Sequence, residues 1–72
     1  MLGNKIKELR RKNHLTQAQL AEKLNVARSA VALWEIDNTD PNLTNIISLA
    51  RVFNVTTDYL LGLVDTTSFF DL

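Results

Sequence analysis

The residues best suited to chemistry in this 72-residue chain lie around Gln17 and Arg28, each at a predicted helix start. An arginine in the first turn of a helix can present its guanidinium fork to the O6 and N7 acceptors of guanine. Ser29 follows Arg28 and can donate to, or accept from, a base or a phosphate. Gln17 lies where a helix N-terminus attracts anions, and the hydroxyl of Thr16 can reach the same anion. These groups predict noncovalent recognition of an anionic polymer.

Patterns that carry catalysis or bind metals are missing from the sequence. It has no Cys, which excludes disulfides and thiolate sites, and its one histidine, His14, has no ligand partner at metal spacing. It also lacks a glycine-rich phosphate loop and a convincing pair of catalytic carboxylates, and nothing arranges Ser, His and Asp as a triad. We therefore expect no enzyme activity, no cofactor and no metal ion, and we expect His14 to be a loop residue.

The charges are divided unevenly between the two halves of a chain whose net charge is 0. Residues 1–36 contain seven basic and three acidic side chains, a net charge of +4, whereas residues 37–72 contain one and five, a net charge of −4. Such asymmetry indicates one basic surface that can face a polyanion. A dipolar surface with no partner is the alternative that charge alone leaves open.

Chain length and hydropathy favour one small domain away from membranes. A chain this short buries a modest fraction of its surface, so its core is limited in size. No apolar run approaches the roughly 20 residues that span a bilayer, and the N-terminus lacks a signal-peptide pattern. The absence of Cys fits a reducing compartment, and we expect a cytoplasmic location.

Apolar periodicity predicts an all-α domain of five helices. Apolar side chains recur at helical spacing, whereas β-branched residues occur singly rather than in the alternating runs of strands. The first predicted helix covers about Asn4–Asn13. The second begins at a Thr16 cap, paired with Gln19, and ends at Asn25, and the third covers about Arg28–Ile36. The fourth covers about Leu43–Phe53 after an Asn42 cap, and a short fifth helix begins at a Thr56 cap and ends before Gly62. The expected inward side chains are Ile6, Leu9, Ala18, Leu20, Ala21, Leu24, Val31, Trp34, Leu43, Ile46, Ile47, Ala50 and Phe53.

The second and third predicted helices form the most informative segment. They are about two turns long and are joined by the three residues from Asn25 to Ala27. Ala21 is small enough to let two helices approach closely, and Val26 can fill the angle between them. Val31 and Trp34 then bury one side of the third helix. This arrangement is typical of a helix-turn-helix, whose second helix lies in the major groove of DNA.

Several motifs occur in order along the chain and together resemble the phage repressor and Cro-type helix-turn-helix domains, also called the XRE family. The resemblance covers about Asn4–Val64. The motifs are Ile6-x-x-Leu9-Arg10, Leu15-Thr16-Gln17-x-x-Leu20-Ala21, Val26-x-x-Ser29-x-Val31-x-x-Trp34-Glu35, Pro41, Leu49-Ala50, and Val55-x-x-x-Tyr59-Leu60-Leu61-Gly62.

The resemblance implies a compact five-helix lambda-repressor-like domain over residues 1–64 that binds double-stranded DNA as a homodimer on a near-palindromic operator and represses transcription. It implies base-edge contacts from Ala27, Arg28, Ser29 and Leu33, and phosphate contacts from Gln17 and from amides near Asn38 and Asp40. It also implies a structural ion pair between Arg10 and Glu35. The implied dimer surface includes Val55, Thr56, Asp58 and Tyr59.

Some positions depart from the family pattern. Leu33 and Ile36 are apolar where relatives often have polar or basic residues, and Asp37 and Asp40 place negative charge beside the expected phosphate track. Ala27 is a poor helix cap, which costs about 1 kcal/mol. We therefore expect modest affinity per monomer. These departures motivate the alternative of a protein-interaction module on the same fold, antitoxin-like or bound to a regulatory protein partner.

The C-terminal tail, residues 65–72, has no clear period but carries Phe69, Phe70 and Leu72. A cluster of large apolar residues usually marks a contact surface. We expect Phe69 and Phe70 to contribute to the dimer interface or to pack within the chain, with disorder as the alternative.

Overall fold

The computed structural model describes residues 2–65, and within this range the chain forms five α-helices and no strand. They are α1 (Leu2–Lys12), α2 (Gln17–Leu24), α3 (Arg28–Glu35), α4 (Leu43–Phe53) and α5 (Thr57–Leu60). The all-α, five-helix prediction is therefore confirmed. Residues 66–72, which include Phe69 and Phe70, lie outside the described residues.

Helix α1 differs from its predicted bounds because its start is fixed by a distant residue. It begins at Leu2 rather than near Asn4, since the Asp37 carboxylate accepts a hydrogen bond from the backbone N–H of Gly3 at 3.0 Å. Glycine is required there: a Cβ at Gly3 would lie 2.5 Å from the carbonyl oxygen of Trp34. The helix ends at Lys12 rather than Asn13, and His14, a loop residue as predicted, has a φ of 58°.

The predicted caps of α2, α4 and α5 are confirmed. Thr16 and Gln19 form a reciprocal capping box at the start of α2, with hydrogen bonds of 3.0 and 2.8 Å. Asn25 and Asn54 adopt left-handed φ values of 57° and 56° where α2 and α4 end. The side-chain oxygens of Asn42 and Thr56 cap α4 and α5. Local sequence therefore determines most helix ends.

All five helices contribute to a single hydrophobic core. Its fully buried side chains are Ile6 from α1, Leu20 from α2, Val31 from α3, Leu49 from α4 and Leu60 from α5. Small Ala21 is buried in this cluster, and the half-buried Val26 packs against it from the turn before α3. The short connection and these contacts hold α3 across α2, which is the helix-turn-helix arrangement.

Three residues that the sequence pattern places inward are exposed: Ala18, Leu43 and Ile47. The buried stripe of α4 runs through Ile46, Leu49, Ala50 and Phe53. Ile47 points about 100° away from the centre of that stripe. Leu43 lies nearer in angle but is the first residue of α4, and it remains exposed. Within residues 2–65 no helix has the length and apolar character to cross a membrane.

Candidate nucleic-acid interface

Helix α3 presents two chemically different faces. Val31, Trp34 and Glu35 are buried against the neighbouring helices, chiefly α1 and α2. On the opposite side Ser29, Leu33 and Ile36 are exposed, and Arg28 is exposed at the N-terminal end of the helix. The outward face is therefore not covered by the rest of the described chain.

A buried ion pair fixes the orientation of α3 against α1. The Arg10 guanidinium donates from Nε and Nη2 to the two carboxylate oxygens of Glu35, at 2.6 and 3.0 Å. Its Nη1 donates to the carbonyl of Leu15 at 2.9 Å, which adds the loop before α2 to the same network. A bidentate arginine–carboxylate pair restricts both distance and direction. The pair implied by the resemblance is thus present, whereas the role of Leu15 had no signal in the sequence because it uses only the backbone.

The network keeps Glu35 ionised in a buried place. Burial raises the pKa of the Glu35 carboxyl, but hydrogen bonds from Arg10 and Gln17 and the nearby charges of Arg10 and Lys7 lower it further than burial raises it. The net result is a pKa below the ordinary glutamate value. The hydrogen bond to Glu35 raises the pKa of Arg10. Both partners are therefore charged at neutral pH.

Gln17 connects the start of α2 to the buried end of α3. Its side-chain amide Nε2 donates to Glu35 Oε1 at 3.1 Å. An amide nitrogen carries two hydrogens, so the second remains available to an anion. Thr16 uses its hydroxyl oxygen as an acceptor for the N–H of Gln19, which leaves its own O–H as a donor. Both groups lie at the N-terminal end of α2, where the helix dipole favours negative charge.

The loop after α3 differs from the expectation in two respects. The backbone N–H of Asn38 donates to the carbonyl of Leu33 at 3.0 Å, so only its side-chain amide remains for a phosphate. Asp37 was expected to repel phosphates, but its carboxylate is bound to the N-terminus of α1 through Gly3. Asp40 remains exposed. Asp37 therefore has a structural role that its position after a helix did not reveal.

The N-terminal end of α3 lacks a side-chain cap. Ala27 has the extended backbone of a capping residue, but its methyl group cannot accept a hydrogen bond from the first turn. Ala27 is exposed, next to Arg28 and Ser29. The N-terminal end of α3, where a helix has unpaired N–H groups, therefore lies next to these exposed residues.

The residues expected at a dimer surface that lie within residues 2–65 are half-buried, and several make contacts within the chain. Thr56 caps α5 by accepting from the N–H of Tyr59 at 3.0 Å, and Val55 packs against the core. The Nζ of Lys5 lies 4.5 Å from the centre of the Tyr59 ring and 3.3 Å from Glu8 Oε2. Asp58 is half-buried beside them. Lys5 therefore links α1 to α5, so part of the basic charge of α1 is used within the domain.

Residues 6–60 match the family described as Helix-turn-helix (HTH_3). The chain is 43% identical over 61 residues to the HTH-type transcriptional regulator ImmR of Bacillus subtilis, covering 85% of this chain and 48% of ImmR. It thus spans about half the length of that curated relative.

Solved structures agree with the family match. The P22 c2 repressor in complex with a synthetic operator is 32% identical, with a TM-score of 0.80 over 83% of this chain and 91% of that one. SinR in complex with DNA is 29% identical, with a TM-score of 0.78 over 85% of this chain and 98% of that one. The fold is therefore that of the P22-repressor-like helix-turn-helix domains.

Proposed function

The chain belongs to the Helix-turn-helix family of non-enzymatic DNA-binding regulators, and on this premise we propose that it binds double-stranded DNA sequence-specifically to regulate transcription. In this proposal α3 lies in the major groove with its N-terminal residues against base edges. A regulator of this kind works in the cytoplasm of a bacterial cell, where its DNA target lies.

The observation that carries the proposal is the open outward face of α3. Ser29 is exposed there and Arg28 is exposed at the N-terminal end of the helix, while the opposite face is fixed by Trp34 and by the ion pair of Glu35. A reading helix must be both accessible and rigidly oriented, since a base contact depends on angle as well as distance. In α3 the two requirements are met by separate faces.

The contacts divide into base readers and phosphate binders. Arg28 donates two hydrogen bonds to guanine, with Ala27, Ser29 and Leu33 on neighbouring base edges. Gln17 contacts a phosphate with its second amide hydrogen, so that one side chain joins the DNA backbone to Glu35 of α3. Thr16 and the side chain of Asn38 bind phosphates on either side.

A homodimer completes the proposed mechanism. Two α3 helices related by a two-fold axis lie about 34 Å apart, one turn of DNA, and read a near-palindromic operator. The dimer surface comprises Val55, Thr56, Asp58 and Tyr59, with Phe69 and Phe70 of the tail. Bound across a promoter, the dimer blocks transcription and acts as a repressor. Equilibrium sedimentation with and without operator DNA measures the stoichiometry.

The test of DNA binding compares two arginine variants that change the net charge equally. Arg28→Ala removes a proposed base contact, whereas Arg51→Ala removes an exposed arginine of α4, outside the helix-turn-helix. Binding to a DNA duplex selected from a random pool is measured at several salt concentrations. Arg28→Ala should weaken binding about 5- to 150-fold and relax one operator position. Arg51→Ala should change affinity little.

Equal effects of the two variants would mean that DNA binding rests only on nonspecific attraction between charges. Absence of binding by the unaltered chain at every salt concentration would refute the proposal. It would then favour a protein-interaction module on the same fold, in which substitution of Arg28 has no effect on DNA.

A further inference from the structure

The outermost side chains of α3 form a strip composed of Ser29, Leu33 and Ile36. Their spacing of i, i+4 and i+7 places them within about 60° of arc, opposite the buried face of the helix. Leu33 is 38% exposed and Ile36 is 70% exposed. Arg28 precedes this outer strip, at the N-terminal end of the helix. Beyond the first turn of α3, the surface offered to a ligand is therefore aliphatic.

An aliphatic side chain in the major groove discriminates among bases by their apolar surface. Thymine alone among the four bases presents a methyl group there, at C5, while the other base edges present only hydrogen-bond donors and acceptors. Covering those polar edges with leucine removes them from water without giving them a partner, which is unfavourable. Contact with the thymine methyl is favourable because it buries apolar surface on both sides.

The position of each residue along α3 separates Leu33 from Ile36. Leu33 is five residues beyond Arg28, about 7.5 Å along the helix axis, and Ile36 is about 12 Å beyond it. Recognition helices contact base edges with their N-terminal part. Leu33 thus lies within about two base steps of the pair that Arg28 reads. Ile36, the C-terminal cap of α3, lies beyond the reading end.

The geometry points to Leu33 as a reader of the C5 methyl group of thymine, so that each half-site contains a thymine close to the guanine contacted by Arg28. This inference rests on the proposed function and adds a base preference to it. Arg28 supplies recognition by hydrogen bonds, and Leu33 supplies recognition by apolar contact.

Substitution of thymine by deoxyuridine tests the inference, because deoxyuridine lacks the methyl group but keeps the same hydrogen-bond groups. The full 72-residue chain first selects duplexes from a random pool. The enriched duplex is then made with deoxyuridine at each thymine in turn. At one thymine per half-site we expect about fourfold weaker binding, and about 15-fold when both half-sites are substituted.

Two variants assign that loss to a side chain. Leu33→Ala should bind the thymine and deoxyuridine duplexes equally well, because the contacting side chain is gone. Ile36→Ala is the matched control, since it removes an exposed aliphatic side chain from the same strip, and it should retain the fourfold difference. Circular dichroism verifies that both variants are folded, as expected for exposed positions.

The possible outcomes distinguish this inference from the proposed function. An enriched duplex that tolerates deoxyuridine at every thymine overturns methyl reading and leaves DNA binding intact. A deoxyuridine penalty that persists in Leu33→Ala also overturns it, because another residue then reads the methyl. Failure to enrich any duplex overturns both proposals.

Discussion

Helices α2 and α3 are each eight residues long and each buries three side chains, but they are stabilised in different ways. Helix α2 begins with the capping box of Thr16 and Gln19 and ends at Asn25 in the left-handed conformation. Helix α3 begins at Ala27 without a side-chain cap, although it too is followed by a left-handed residue, Asp37, directly after Ile36. Isolated helices this short are unstable in water, so both depend on packing against the core. Helix α3 depends on that packing more, because it lacks a side-chain cap at its start.

The difference indicates that the two helices have separate roles within the helix-turn-helix. Side chains that cap a helix occupy its end, and the N-terminal end of α3 is where the proposed base readers lie. The fixing contacts of α3 are therefore made on its inner face, by Trp34 and by the ion pair between Glu35 and Arg10. Substitutions and acidification that weaken or strengthen these contacts test the difference, and the ion pair is the strongest case.

Arg10→Ala should have the largest effect, a loss of about 3 kcal/mol in the free energy of unfolding. Removing one partner of a buried pair leaves the other charge without its partner, here Glu35 with the Gln17 amide as its remaining side-chain hydrogen bond. Urea denaturation measures the change. Arg11→Ala is the matched control, because Arg11 is an exposed arginine of the same helix, and it should change stability by less than about 0.5 kcal/mol.

The double variant Arg10→Met with Glu35→Leu sharpens this result. Replacing both charges by apolar side chains is often close to neutral, so most of the lost stability should return. If the double variant folds but binds selected DNA poorly, the pair serves to orient α3 rather than to stabilise the fold. If Arg10→Ala were as stable as the unaltered chain, α3 would instead be held by Trp34 and Val31 alone.

Helices α1 and α2 show how far the sequence predicts the structure. The limits of α2 were predictable because Thr16, Gln19 and Asn25 act on their own neighbours in the chain. The start of α1 was not, because the carboxylate that binds Gly3 belongs to Asp37, which is 34 positions away. Local signals determine a helix end only where the partners are local.

The candidate site divides in a similar way. The exposed positions of Ser29 and Leu33 follow from helical periodicity once the buried face is known, whereas Arg28 is exposed because it is the first residue of α3. The resemblance supplied the Arg10–Glu35 pair. The resemblance gave Gln17 a phosphate contact, and the structure adds its hydrogen bond to Glu35 of α3. The backbone groups of Leu15 and Asn38 could not be assigned, since backbone hydrogen bonds leave no mark in residue type.

Thr16→Ala should destabilise the domain by about 1 kcal/mol, because the first turn of α2 loses the acceptor for the N–H of Gln19. Thr44→Ala is the control. Thr44 is an exposed threonine within the first turn of α4, where alanine is the better helix former, so its loss should be neutral or slightly stabilising. Thermal and urea denaturation measure both. Equal changes would mean that the capping box contributes nothing beyond helix propensity.

Ala27→Ser should stabilise the domain by somewhat less, about 0.5 to 1 kcal/mol. The extended backbone at Ala27 already suits a cap, so a serine hydroxyl can accept from the first turn of α3 without rearrangement. The same change at Ala18, an exposed alanine in the first turn of α2 that is not its cap, should instead cost up to about 0.5 kcal/mol. Measured by urea denaturation, opposite signs for the two variants would confirm that α3 starts without a cap.

Acidification should produce the smallest effect, because burial of Glu35 opposes the hydrogen bonds that lower its pKa. Its folded pKa lies below the unfolded value of about 4.3. The folded state therefore binds fewer protons there, and the stability that Glu35 contributes is complete above this value. That contribution is lost as the pH falls from about 4.3 through the folded pKa.

Urea denaturation at a series of pH values from 7 to about 3 measures this loss, and Glu35→Gln isolates it. The glutamine variant is less stable at pH 7 but lacks the titrating group, so its stability should fall less steeply in acid than that of the unaltered chain. Glu22→Gln, an exposed position on α2, should leave the slope unchanged. Parallel curves for all three proteins would place the acid sensitivity outside the ion pair, and α3 would then owe its orientation to apolar packing alone.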